Sequence, residues 1–356
     1  MADAYADALE PANMRIAYQP IVNPPLWELG HVAWFQEYWI GRNRQRDLGI
    51  DCDPDHEREP SLAGEADAFY NSSLVAHRTR WELDLPGLAR TRSYLAATLE
   101  QTLALLAGLP PTAGAADLYF YRLVALHEEM HAEAATYMAR TLGIALEMPL
   151  SKPALVNQGA EIHVPAQTFR LGCSGTGFAF DNELQAHDVD IQAFRIDREP
   201  VSWARFMKFV RARGYEQKRW WTEEGWAWLM QSGTRAPQPD TGRLAHAAIH
   251  LTAHEADAWC RWAGRRLPTE AEWECAAVSA PDFLWGEVWE WTSSPFAPYP
   301  GFRAHPYRDY SAPWFGSRRV LRGASTATSA LLAHPRYRNF FEPQRSDVFA
   351  GFRSCA

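Results

Sequence analysis

The chain has 356 residues, which is long enough for two domains with separate hydrophobic cores. Its net charge of −8 and its lack of a clustered Lys/Arg run argue against nucleic acid or an anionic membrane as the main partner, and no apolar run approaches the roughly 20 residues that span a bilayer. The acidic N-terminus lacks the features of a signal peptide, and the 5 widely spaced cysteines fit free thiols in a reducing compartment, so we expect a cytoplasmic protein that acts on small molecules.

The first half of the chain is predicted to be helical. Four runs have helical composition and are separated by Pro-, Gly- or Arg-containing turns. They are Leu26–Trp39, Ala63–Ala76, Leu88–Ala107 and Ala116–Leu142. Four helices with connections of mixed length favour a four-helix bundle, whose interior commonly holds metal ligands.

The fourth predicted helix carries a candidate metal site. Residues four apart lie on the same face of a helix, so His127 and His131 are predicted to direct two imidazoles at one point. Two imidazoles at this spacing are a common pair of ligands for a first-row transition metal. The alternative interpretation is a pair of surface histidines.

A third histidine, His31, lies near the start of the first predicted helix, next to Gly30. The glycine removes side-chain bulk where another helix or a ligand approaches closely. Spacing alone leaves two interpretations for His31, a buried and hydrogen-bonded core residue or a third metal ligand.

The second half of the chain has a different sequence pattern. A stretch from Glu147 to Ala160 reads as a linker, and short alternating segments interrupted by Gly and Pro follow it. Strands are predicted at Glu161–Val164, Thr168–Leu171 and Val189–Phe194, and helices at Ser202–Arg213 and Ala253–Gly264. This half is therefore predicted to be α+β, rich in turns and aromatic residues.

Five motifs in this half occur in an order that resembles the formylglycine-generating-enzyme (sulfatase-modifying factor) fold, a variant of the C-type lectin architecture. They are Glu199–Phe206, Ala258–Glu274, Gly286–Thr292, Leu321–Ser325 and Gly351–Arg353. Within the second motif, Thr269 and Glu272 have the spacing of a helix capping box. Formylglycine-generating enzymes use a pair of cysteines after the Arg-Gly-Gly-Ser motif, but Ala324–Arg338 contains no Cys, so we expect that oxidase activity to be absent.

Taken as a whole, the chain resembles the ergothioneine-synthase (sulfoxide synthase) family. This resemblance implies a DinB-like four-helix domain over residues 1–150, fused to a formylglycine-generating-enzyme-like domain over residues 151–356. It also implies that His31, His127 and His131 bind Fe(II), with open positions for O2 chemistry. The family reaction joins an imidazole carbon of hercynine (trimethylhistidine) to a sulfur nucleophile, consumes O2 and leaves a sulfoxide.

The same resemblance suggests roles for side chains outside the metal site. A tyrosine typically supplies a proton or an electron during the O2 chemistry, and Tyr307 is favoured over Tyr299. Asn339 and Phe340 match positions of the family's C-terminal substrate loop and are candidates for binding hercynine. Aromatic faces or carboxylates suit its permanent trimethylammonium charge.

Departures from the family pattern concern the second substrate. Phe341 stands where γ-glutamylcysteine-using enzymes commonly have an Asp, although Arg345 four residues later is kept. Losing that carboxylate weakens binding of an α-amino group, and Met130 replaces a glutamine often seen in the family. The segment Tyr70–Leu83 resembles the selenoneine-synthase branch, which uses a selenosugar, so a selenosugar donor is predicted. The alternative is a thiol such as γ-glutamylcysteine or cysteine, with Glu342 in place of the missing Asp.

A cluster of arginines is a candidate for contacting the donor. Arg78, Arg80 and Arg345 could bind a sugar, a phosphate or a carboxylate through bidentate contacts. Surface salt bridging is the alternative for Arg78.

Two further function classes are compatible with parts of the sequence. His127-Glu128-Glu129-Met130-His131 also satisfies the HExxH pattern of zinc peptidases, in which the glutamate activates water, but the metzincin continuation is missing. A C-type lectin-like domain could instead only bind ligands, against which three converging histidines argue. Metal content separates the three: iron for a synthase, zinc for a peptidase and no metal for a binding module.

Overall fold

The computed structural model describes residues 16–144, 155, 159–174, 177–239 and 241–356. These residues form two compact units. The first unit contains the N-terminal helices together with Phe178 and Ala304–Tyr310, a segment that comes from the second half of the chain. The second unit contains the strands and the remaining helices. The predicted boundary at residues 150 and 151, with most of the predicted linker, lies outside the described residues.

Five α-helices are described in the first unit. They are α1 (Pro25–Gln36), α2 (Ala66–Tyr70), α3 (His77–Arg80), α4 (Leu88–Ala107) and α5 (Ala115–Thr141). Helix α1 begins after Pro24 with proline at its first position, and it runs on into a π-helical turn, Glu37–Gly41. The predicted bounds of α4 are confirmed, and those of α5 are shifted by one residue. None of the helices in the described ranges is long and apolar enough to cross a membrane.

The predicted helix Ala63–Ala76 is wrong over most of its length. Only Ala66–Tyr70 is helical, and the chain then turns. The side chain of Asn71 accepts a hydrogen bond from the backbone N–H of Ser73 at 3.0 Å. This local bond replaces the helical pattern, as is common for Asn and Ser after a short helix.

Buried polar contacts fix α1 against its neighbours. The Glu37 carboxylate, 1% exposed, accepts hydrogen bonds from the hydroxyls of Tyr94 on α4 and Ser61, at 2.5 and 2.7 Å. At Gly30, a Cβ would lie 2.2 Å from Cε1 of Tyr70, so the glycine permits the contact between α1 and the end of α2. The close approach predicted for Gly30 is therefore made by a tyrosine of the same unit.

The second unit is α+β, as predicted. Its strands are β1 (Glu161–Val164), β2 (Gln167–Leu171), β3 (His187–Ile191), β4 (Phe194–Asp197), β5 (Trp289–Pro295), β6 (Arg319–Gly323), β7 (Asn339–Phe341) and β8 (Ala350–Gly351). Its helices are α6 (Trp203–Arg211), α7 (Glu223–Ser232), α8 (Ala253–Trp262) and α9 (Glu270–Ser279), of which α7 was not predicted. The antiparallel pairs β1–β4 and β2–β3 accompany a four-stranded sheet in the order β7-β6-β5-β8.

The core of the second unit combines aromatic side chains with buried ion pairs. Trp273 and Trp291 are 0% exposed, and the capping box predicted for Thr269 and Glu272 at the start of α9 is confirmed. Glu270 accepts hydrogen bonds from Arg338 through both of its oxygens, each at 2.9 Å. These contacts tie α9 to the end of the loop that precedes β7.

Candidate metal centre

Three histidines from two helices meet inside the first unit. His31 lies on α1, and His127 and His131 lie one turn apart on α5. Their candidate ligand nitrogens all lie within 4.8 Å of one another. The Nε2 atoms of His127 and His131 are 3.1 Å apart. His31 and His127 are each 3% exposed, whereas the His131 side chain is 21% exposed.

Acceptor-only partners set the orientation of two of the rings. The Nδ1 atom of His31 lies 2.8 Å from the backbone carbonyl of Tyr70, and that of His131 lies 2.5 Å from Oε1 of Glu28. A carbonyl and an ionised carboxylate can only accept, so each Nδ1 donates the proton and each Nε2 keeps a free lone pair. The expectation that His31 is part of a metal site is thus supported by its tautomer as well as by its position.

His127 is supported differently. Its ring is stacked on Phe35, with centroids 3.5 Å apart and planes 6° from parallel. Its Nδ1 is buried and makes no hydrogen bond within the part of the chain that the structure describes. The ring is therefore held by packing, while its Nε2 faces that of His131.

The electrostatics of the cluster suit a divalent cation. Burial lowers the pKa of His31 to about 3, and it also lowers the pKa of His127 well below its ordinary value. Burial by itself opposes the charge of Glu28, but the adjacent His131 outweighs it and lowers the pKa of Glu28 to about 2. Neutral His31 and His127 beside the ionised Glu28 are in the form in which such groups bind metal.

The geometry also fits a transition metal. Two nitrogens that each lie about 2.1 Å from a metal at right angles are about 3.0 Å apart. The observed Nε2–Nε2 distance of 3.1 Å between His127 and His131 agrees with this value. Three imidazoles on one side of an ion leave its other positions open, which suits O2 chemistry. That these residues bind iron stays a prediction.

A stack of flat groups extends from His31. The Trp27 ring lies 4.8 Å from the His31 ring and within 10° of parallel. The Arg80 guanidinium in turn lies 4.1 Å from the centroid of the Trp27 ring. Arg80 donates to the backbone carbonyls of Val75 and Ser72, both at 3.0 Å, and to Asn23 at 2.9 Å. Three of its five N–H donors are thus used within the protein, and its predicted role in substrate binding is untested.

The segment Ala304–Tyr310 brings Tyr307 to the histidine cluster. The centroid of the half-buried Tyr307 ring lies 4.9 Å from that of Phe35 and 6.2 Å from that of His127. Burial raises the pKa of Tyr307, so the phenol keeps its proton near neutral pH. Its favoured status as proton donor is consistent with this position and stays a prediction.

Two contacts anchor this segment on α5. His305 lies against Tyr119, with Nδ1 3.0 Å from the hydroxyl, and Tyr310 donates to the sulfur of Met130 at 3.8 Å. The predicted substrate residue Met130 therefore contacts the same segment as Tyr307.

Tyr299, the second candidate for proton donor, belongs to the second unit and has a structural environment. It is 6% exposed. Its hydroxyl receives a hydrogen bond from Arg322 at 2.9 Å and donates to Glu270 at 3.3 Å, while the Arg338 guanidinium lies 3.9 Å above its ring. These contacts use the phenol within a buried ion-pair network and favour Tyr307 as the reactive tyrosine.

The predicted substrate loop forms β7, at one edge of the four-stranded sheet, and the turn after it. Phe340 is stacked on Phe296, with centroids 4.0 Å apart, and Asn339 accepts a hydrogen bond from the N–H of Phe340 at 2.9 Å. The roles of Asn339 and Phe340 in binding hercynine are untested.

The side chains predicted to determine specificity for the chalcogen donor lie in the same region. Arg345 donates to both oxygens of Asp347, at 2.5 and 2.6 Å, and lies 5.3 Å above the Phe341 ring. Glu342, the predicted stand-in for the missing Asp, forms an ion pair with Arg318 at 3.0 Å. Both Arg345 and Glu342 thus already have a charged partner within the protein, and their predicted roles in donor binding are untested.

Sequence reasoning missed three supports of the cluster. Glu28 lies three residues before His31, so it is on the same face of α1, and this spacing was a usable signal. The backbone carbonyl of Tyr70 left no trace in the sequence, because any residue could supply it. Phe35 lies four residues after His31, but its contact with His127 could be predicted only once the inward face of α1 was known.

Two family models match this chain, one in its first part and one in its second. The DinB superfamily matches residues 1–135, and the sulfatase-modifying factor enzyme 1-like domain matches residues 148–285 and 281–356. The hercynine oxygenase of Mycolicibacterium thermoresistibile is 32% identical over 96% of this chain and 89% of its own length. That of Mycolicibacterium smegmatis is also 32% identical, over 96% of this chain and 93% of its own length. The formylglycine-generating enzyme of Streptomyces coelicolor is 28% identical, over 55% of this chain and 88% of its own length. With two relatives above 30% identity along almost its whole length, this chain belongs to the hercynine oxygenase family.

Proposed function

We propose that this protein is an O2-dependent non-heme Fe(II) enzyme that joins an imidazole carbon of hercynine to the sulfur of a thiol and forms a sulfoxide. The observation that carries the proposal is the cluster of His31, His127 and His131, whose ligand nitrogens lie within 4.8 Å of one another. Membership of the hercynine oxygenase family supports hercynine as the acceptor. We prefer this function because the histidine cluster and the family membership point to the same reaction.

The protein's own residues have distinct tasks in this proposal. Bound Fe(II) supplies O2 activation and a position for the soft thiolate sulfur. His31, His127 and His131 would hold the ion. Tyr307 keeps a proton on its hydroxyl, because burial raises its pKa, and can release it beside His127. Placing the reacting groups side by side gains much of the rate through proximity.

The choice of donor follows the relatives rather than the sequence departures. Phe341 and the segment Tyr70–Leu83 favoured a selenosugar in the sequence, but the hercynine oxygenases support an ergothioneine-type sulfur donor better. We therefore assign a thiol such as γ-glutamylcysteine or cysteine. Arg345 is the residue we assign to a donor carboxylate, which would have to compete with Asp347 for the guanidinium.

The zinc peptidase interpretation makes an opposite demand on Glu128. In a peptidase this glutamate would activate water, so replacing it would abolish activity. In the proposed synthase it has no chemical role, and its side chain is exposed on α5. Glu128→Gln therefore separates the two functions.

The test is reconstitution with Fe(II) without oxygen, followed by O2, hercynine and one donor at a time, with products identified by mass spectrometry. We expect a hercynine sulfoxide from a thiol donor, its loss in His127→Ala, and its retention in Glu128→Gln. A selenium adduct with little sulfur product would overturn the donor assignment. An iron-loaded protein that makes no adduct from any donor would overturn the proposed function.

A further inference from the structure

The three histidines of the cluster are not equivalent in their support. His131 is held by a carboxylate, His31 by a backbone carbonyl, and His127 by ring stacking without a hydrogen bond to Nδ1 in the described part of the chain. A charged acceptor makes the hydrogen bond shorter and stronger than a neutral one does. The 2.5 Å bond from His131 to Glu28 compares with 2.8 Å from His31 to Tyr70.

The local structure holds the Glu28 carboxylate in place. Glu28 lies in the first turn of α1, where the helix dipole favours a negative charge. Its second oxygen, Oε2, accepts a hydrogen bond from the side chain of Asn23 at 2.9 Å. At 7% exposure, the carboxylate is too buried for water to compete freely for His131.

We propose that Glu28 is a positioning residue for the metal. It fixes the proton of His131 on Nδ1, directs Nε2 toward the ion, and increases the electron donation of this imidazole. His131 is then the strongest of the three donors. An outer carboxylate of this kind typically contributes about 10- to 100-fold in metal affinity.

A cavity beside this pair gives an unusual means of testing the role. A space of about 270 Å³ between α1, α4 and α5 is lined by Glu28, His131, Leu95 and the exposed Glu128. Removing the Glu28 side chain would join its volume to this cavity. A small carboxylate such as formate could then enter and take the place of the missing group.

The inference rests on the metal site of the proposed function and not on its chemistry. The measurement is therefore equilibrium binding of Co(II) to the full-length protein, read from its d–d absorption, without hercynine, thiol or O2. Native protein that binds no Co(II) would count against the proposed site itself. Native protein that binds Co(II) while Glu28→Gln binds it equally well would overturn only the role of Glu28.

The variants separate charge, geometry and fold. Glu28→Gln keeps an acceptor for His131 but loses the charge, and we expect its Co(II) affinity to fall by about 10- to 100-fold. Glu28→Asp keeps the charge on a shorter side chain, so it should recover part of the affinity. Glu128→Gln removes a charge from the same cavity without touching Nδ1 of His131, and it should bind like the native protein.

Formate rescue distinguishes positioning from a merely structural tie between α1 and α5. In Glu28→Ala, added formate should restore part of the Co(II) affinity and the native shape of the d–d bands, while acetamide, which carries no charge, should not. If Glu28→Gln fails to fold, Glu28→Asp and the rescue of Glu28→Ala still decide the matter. A loss of affinity that formate does not relieve, together with an Asp variant no better than the Ala variant, would overturn the inference.

Discussion

Gly30→Ala tests whether close packing behind His31 supports both the fold and the metal site. The added Cβ would lie 2.2 Å from Cε1 of Tyr70 and 2.3 Å from its Cζ. Tyr70 is 2% exposed, so the added methyl group would clash with a buried ring. Because the carbonyl of Tyr70 holds Nδ1 of His31, any shift of Tyr70 also moves a candidate ligand.

The expected magnitude is a balance of two effects. Overpacking a buried contact costs about 1–3 kcal/mol, while alanine in place of glycine inside a helix stabilises by about 1 kcal/mol. We therefore expect the free energy of unfolding to fall by up to about 2 kcal/mol. The Co(II) affinity should fall as well, since His31 loses its fixed tautomer.

Chemical denaturation in a chelator measures the first effect, and Co(II) titration measures the second. Gly87→Ala is the matched control, because a Cβ at Gly87 would meet nothing within 4 Å. Because Gly87 is the N-cap of α4, alanine there should cost about 0.5–1 kcal/mol, without lowering the Co(II) affinity. The double variant Gly30→Ala/Tyr70→Leu should lose less stability than the sum of the losses measured for the two single variants. The reason is that the ring with which the added methyl group clashes is absent from the double variant. Gly30→Ala with native stability and native Co(II) affinity would refute this reasoning.

Three further predictions separate the roles of particular residues. Tyr307→Phe should lower turnover by about 100-fold or more with Co(II) affinity unchanged, whereas Tyr299→Phe should lower the free energy of unfolding by about 1–3 kcal/mol, because buried Arg322 loses an acceptor. Burial raises the pKa of Glu183 from 4.5 to about 8, so the folded protein holds this proton longer than the unfolded chain and loses stability as pH rises through that range. The free energy of unfolding of Glu183→Gln should therefore rise relative to that of the native protein as pH increases. Phe341→Asp should lower the KM for γ-glutamylcysteine by roughly tenfold, through an ion pair with its ammonium group.

Each of these predictions has a result that would contradict it. Equal turnover in Tyr307→Phe and native protein would remove Tyr307 as the proton donor. A difference between Glu183→Gln and native stability that does not change with pH would show that Glu183 ionises normally in the folded protein. Phe341→Asn is the uncharged control for Phe341→Asp, and an equal KM in the two variants would show that charge at this position does not bind the donor.

Much of the candidate site could be predicted from the sequence because it depends on local periodicity. The spacing of His127 and His131 needs only a helix, and the bounds of α4 and α5 followed from composition. The third ligand could not be derived in this way, because His31 joins the cluster through the packing of α1 on α5. A family resemblance was needed to select it from the other histidines.

The error in the second predicted helix comes from a local contact that competes with helix propensity. The run Ala63–Ala76 has enough Ala and Leu for a helix, but the Asn71 side chain bonds the backbone of Ser73 and ends α2 early. Tyr307 was favoured over Tyr299, but the contacts that distinguish the two tyrosines could not be derived from the sequence. Both lie in one Pro- and aromatic-rich stretch, yet Tyr299 is enclosed by Arg322 and Arg338. Tyr307 instead lies beside His127.

The segment Ala304–Tyr310 makes the first unit discontinuous along the chain. Phe35 and Trp39 pack against Tyr307, and Tyr119 pairs with His305, which is 186 positions away. A fragment that stopped at residue 150 would therefore lose part of its core as well as its candidate proton donor. The two halves of this protein cannot be exchanged as independent modules: a replacement second half would have to carry a matching segment. Substitutions in that segment and along α1 and α5 should accordingly be coupled during evolution.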